Sequence, residues 1–137
     1  MSSSKEELKK SIIAMLLRLQ ASDHAKDIRE FAYIHKVATH LGLSAHDVTS
    51  VEEAIEDYPL RPPAEEKDRM TILYYLLFLM EIDGEVTAEE EDLVKEFGLR
   101  LGFRISLTAE LIDVIRKYSD TQVPQEAMLE LIRKYLN

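Results

Sequence analysis

The chain has 137 residues, no cysteine, and 17 Lys+Arg against 26 Asp+Glu, for a formal net charge of -9. With 46% hydrophobic and 31% charged residues, it has the make-up of a folded chain long enough to bury one core. Without thiols it offers no disulfide, thiolate zinc site or cysteine nucleophile, and its acidic balance argues against nucleic acid, which is captured by basic surfaces.

Apolar residues recur at helical spacing almost throughout and no stretch alternates as a strand does, so an all-α chain of seven helices is expected. The N-terminal Met-Ser-Ser-Ser-Lys-Glu-Glu lacks the basic-then-apolar pattern of a signal peptide, which points to a cytoplasmic protein. A first helix is predicted over Lys5 to Gln20, with Leu8, Ile12, Met15, Leu16 and Leu19 in one stripe. A second runs from Asp27 to His40, turning Phe31, Ile34, Ala38 and Leu41 inward and stopping at Gly42. A third follows from Ser44 to Asp57, with Val48, Val51 and Ile55 facing the core. Tyr58-Pro59 and Arg61-Pro62-Pro63 then interrupt the pattern, because proline disfavours helix at itself and at the residue before it.

The dense apolar run from Met70 to Met80 predicts a fourth, central helix ending near Glu81. It is far shorter than the roughly 20 residues of a bilayer span, so no membrane insertion is expected. The fifth helix covers Ala88 to Leu101 and stops at Gly102, the sixth covers Thr108 to Tyr118, and the seventh starts at Pro124, a favoured first-turn residue.

A shift of 60 residues lays the chain over itself without gaps: Ile12 falls on Ile72, Leu16 on Leu76, Leu19 on Leu79, and Leu41-Gly42 on Leu101-Gly102. The expected architecture is therefore a closed bundle of two repeated three-helix units, about 8–58 and 68–118, with the C-terminal helix added, all in one domain over 1–137.

Two polar pairs take part in the repeat, Asp23 with Asp83 and Glu30 with Glu90, and no apolar core demands them. The second copy reads Asp83-Gly84-Glu85-Val86-Thr87-Ala88-Glu89-Glu90, the latter half of an EF-hand loop: Asp-Gly, an aliphatic, then a closing Glu. Val86 is expected to tuck inward and fix the loop. The first half of that motif fails, since Leu79 stands where its first aspartate belongs, so a standard calcium hand is not expected. Capping is the competing account. Thr87 with Glu90, and Asp27 with Glu30, have the spacing of a capping box. Capping explains both glutamates but not the recurrence of Asp23 at Asp83.

These residues, Leu-Met-Glu-Ile-Asp83-Gly84-Glu-Val86-Thr-Ala-Glu-Glu90 followed by Leu101-Gly102-Phe103, resemble the tellurite-resistance TerB-like superfamily. The resemblance covers the chain from about Leu8 onward. It implies an all-helical, non-enzymatic interaction module of bacterial stress and tellurite-resistance systems. It also implies that Asp83 and Glu90, with Asp23 and Glu30, hold a divalent cation, calcium or magnesium, with no organic cofactor and with a protein as partner. The first copy departs from the pattern: His24 replaces the glycine and Lys26 the aliphatic residue, costing the loop an easy positive φ and adding a competing cation.

Other chemistry finds little support. His35 and His40 lie five apart and share no helical face, His46-Asp47 sits at a helix start, and the four glycines are scattered singly. Catalysis is not expected. Glu81, Glu85, Glu89, Glu91 and Asp92 gather around the second turn as a solvated helix start or a dock for a basic partner. Tyr74 and Tyr75 point to different faces of the central helix, with core packing the expected fate of both.

Overall fold

The dominant feature of the packing is a pair of helices that the remaining ones surround. In the computed structural model, which describes residues 4–22, 28–82 and 86–117, the first of the pair is α1 (Ser4–Ala21) and the second is α4 (Glu66–Glu81). Between them come α2 (Ile28–His40), α3 (Ala45–Glu53) and a short 3-10 turn (Ile55–Asp57); α5 (Ala88–Arg100) and α6 (Ile105–Lys117) follow. Among the described residues all regular structure is helical; the predicted seventh helix from Pro124 lies outside them.

α1 packs on α4, α2 and α3 and touches α5, while α4 packs on α1, α5, α6 and α2. Every residue from Ser11 to Leu17 is buried, so α1 is enclosed on all sides rather than along the single stripe its large residues predict. Ser11 and Ala14 make this possible, since small side chains let neighbouring backbones close in. On α4, Ile72, Leu73, Leu76, Leu77, Leu79 and Met80 are buried, as a central helix requires. No helix among the described residues is long and apolar enough to cross a membrane.

The two halves share local detail at positions 60 apart. α2 and α5 each have 13 residues, starting at 28 and 88. Each ends on a glycine in the left-handed region, Gly42 at φ 81° and Gly102 at φ 95°, a conformation that L side chains rarely adopt. The closing bonds also correspond: the Leu43 N–H donates to the Ala38 carbonyl (2.8 Å), and the Phe103 N–H to the Gly98 carbonyl (2.9 Å).

Four local expectations are corrected. Phe31 does not face the core; it is 56% exposed, because Glu30 and Ile34 hold the inward face of α2. α3 stops at Glu53 rather than Asp57: Ala54 leaves helical geometry (φ -122°, ψ 40°) and the chain tightens into the 3-10 turn ahead of Tyr58-Pro59. There the Arg18 side chain donates to the Ile55 carbonyl (2.9 Å), tying that turn to α1. α6 begins at Ile105, three residues before the predicted Thr108, with the Leu107 and Thr108 N–H groups bonded to the Arg104 carbonyl. α4 likewise starts earlier than its apolar run, through a charged first turn from Glu66 to Arg69. The Arg69 guanidinium steadies that entry, donating to the carbonyls of Pro63 (2.9 Å) and Ala64 (2.7 Å).

Candidate functional site

In sequence, the acidic stretches at Asp23 and Asp83 come after the C-terminal ends of the two central helices. Of the four nominated ligands, Glu30 and Glu90 are described, whereas Asp23 and Asp83 lie outside the described residues, as do His24, Lys26, Gly84 and Glu85. Glu30 and Glu90 are the third residues of α2 and α5, and they are 1% and 2% exposed. Glutamate is rarely buried this deeply, because stripping water from a carboxylate costs several kcal/mol unless partners replace it.

For Glu90 part of that replacement is plain. The Thr87 N–H donates to Glu90 Oε1 (3.2 Å) and the Glu90 N–H donates to Thr87 Oγ1 (3.1 Å), a complete capping box at the start of α5. The corresponding box at Glu30 would involve Asp27, outside the described residues. Val86, expected to tuck inward, is half-buried against the core. Glu81, in the last turn of α4 ahead of the second acidic turn, is also half-buried, and burial pushes its carboxyl above the usual glutamate range. Among the described residues no three His, Asp or Glu side chains come together as a metal cage.

The remaining acids divide by what holds them. Glu89 and Asp92 are exposed. Glu91 is committed to the structure, ion-paired with Lys95 (3.1 Å) and with Arg116 of α6. Burial opposes its ionisation, but the Lys95 hydrogen bond and the Arg116 charge outweigh burial and hold the carboxyl below its ordinary value. A carboxyl lowered by folding adds stability that is complete above the ordinary glutamate pKa of about 4.3 and fades as pH falls through the folded value. Glu91→Gln is therefore expected to lower stability by about 0.5–1 kcal/mol at pH 7, with the deficit shrinking as pH falls below about 4, checked by urea denaturation along that range.

Of the three described histidines, His35 packs against the Phe31 ring (centroids 4.3 Å apart), and His40 and His46 are exposed. At the start of α3, Ser44 and Asp47 form a second complete capping box, with a Ser-x-x-Asp spacing that was legible in the sequence. Tyr74 and Tyr75 are both half-buried. Tyr74 stacks on Phe78 (6.0 Å), and its buried hydroxyl has no partner among the described residues. Tyr33, which no sequence signal singled out, donates its hydroxyl to the Tyr75 carbonyl (3.2 Å), and burial pushes that phenol well above its ordinary value. No family model matches this sequence, and neither the curated proteins nor the solved structures gave a match.

Proposed function

We propose that this chain is a duplicated, non-enzymatic helical module of the TerB-like kind. In this reading its paired acidic turns hold a divalent cation, calcium or magnesium, and its surface engages a partner protein in a bacterial stress response. The observation that carries the reading is the burial of Glu30 and Glu90 at corresponding places, each in the first turn of the helix that follows an acidic turn. A surface cap does not need such burial. A carboxylate withdrawn from water beside a turn that carries another carboxylate is suited to sharing a cation. The matched lengths of α2 and α5 and the paired glycines support the duplication on which the shared site depends.

Calorimetric titration with calcium and magnesium tests this. The expected result is one binding event with a Kd below about 1 mM, weakened at least about tenfold by Asp83→Asn. Unchanged affinity in that variant, or no binding below millimolar, removes the cation from the reading. A second reading then stands, favoured by the complete Thr87–Glu90 box: a metal-free helical scaffold in which the glutamates only cap. It predicts no ion binding and a loss of about 1 kcal/mol in Thr87→Val.

A further inference from the structure

Between the N-terminal halves of α1 and α4, at the opposite ends of these helices from the acidic turns, the surface dips into an open hollow of about 270 Å³. Leu8, Ile12, Leu41, Ile72 and Tyr75 give it an apolar lining. The Thr71 hydroxyl at its edge already donates to the Lys67 carbonyl (3.0 Å), so it makes no demand on a ligand. Two cations from α1 also line it, exposed Lys5 and half-buried Lys9, one helical turn apart. Neither is ion-paired among the described residues. Asp68 lines it from α4.

We propose that this hollow binds an amphipathic monoanion of the fatty-acid class, its chain on the apolar lining and its carboxylate between Lys5 and Lys9. A cavity of about 150 Å³ accommodates benzene, so this volume suits a chain on the order of ten carbons. A small polar anion would meet the lysines but leave the apolar lining in water, so the chain adds the affinity that such an anion lacks. Asp68 disfavours a second negative charge and directs the head group toward α1. The lysines give the site its sign: on a chain of net charge -9, an unpaired pair of cations over apolar surface selects an anion locally against the overall field. This site is independent of the cation reading above.

The test is calorimetric titration with decanoate, decanol and decyltrimethylammonium, each kept below its micellar range. Decanoate is expected to bind with one site per chain, about tenfold more tightly than decanol, with the ammonium amphiphile weaker still. Lys5→Gln with Lys9→Gln is expected to bind decanoate no better than decanol, and Leu8→Trp to fill the hollow and abolish both. Absence of saturable decanoate binding, more than one site per chain, or a preference for decanoate that survives loss of both lysines overturns the proposal. Glutamine keeps a long polar side chain at exposed Lys5 and half-buried Lys9, so the fold is expected to stay intact, and circular dichroism checks this.

Discussion

Leu76→Ala is expected to cost about 3–5 kcal/mol of folding stability, as the upper range of buried leucine truncations does. Leu76 is 0% exposed in the middle of α4, where that helix meets α1. The loss combines removed transfer energy with a cavity that rigid helices on every side cannot collapse to fill. Its counterpart in α1, Leu16, is 1% exposed, and Leu16→Ala is expected to cost a similar amount. Urea denaturation measures both: the midpoint falls while the slope stays unchanged. A loss below about 1.5 kcal/mol at either position contradicts its place at the centre.

The second large effect belongs to Gly98, where α5 crosses α6. A Cβ at this position meets Thr108 Oγ1 at 2.5 Å, closer than unbonded atoms come. Alanine ordinarily gains about 1 kcal/mol over glycine inside a helix, yet here overpacking costs about 1–3 kcal/mol or more. Gly98→Ala is therefore expected to destabilise by about 1–2 kcal/mol, and Thr108→Ala to recover most of that in the double variant. A thermodynamic cycle reads the coupling, and additive effects reject the contact. Thr108 Oγ1 is itself buried without a partner among the described residues, so Thr108→Val alone is expected to be neutral or to stabilise by up to about 1 kcal/mol.

Periodicity and punctuation made much of the fold legible. α2 and α5 fall within a residue or two of the predicted bounds because each has an apolar face, an acid in the first turn and a glycine at the stop. The starts of α4 and α6 were hidden for a shared reason: Glu66 to Arg69 and Arg104 carry neither an apolar period nor a capping side chain. Phe31 was misjudged because hydrophobicity alone does not reveal that a glutamate holds the buried face. That burial of Glu30 and Glu90 was itself invisible, since a capping box on a surface helix has the same spacing. The hollow beside Lys5 and Lys9 had no sequence signal at all. It arises where α1 meets α4, residues far apart in the chain.

The meeting of α1 with α4 also decides how the chain can be divided. Each helix completes its burial only against the other, so the segment from Pro59 to Glu65 serves as a tether that sets an effective concentration for their encounter. Cutting that tether turns an encounter within one chain into a bimolecular one. The two fragments would then complement each other on mixing and melt apart on dilution.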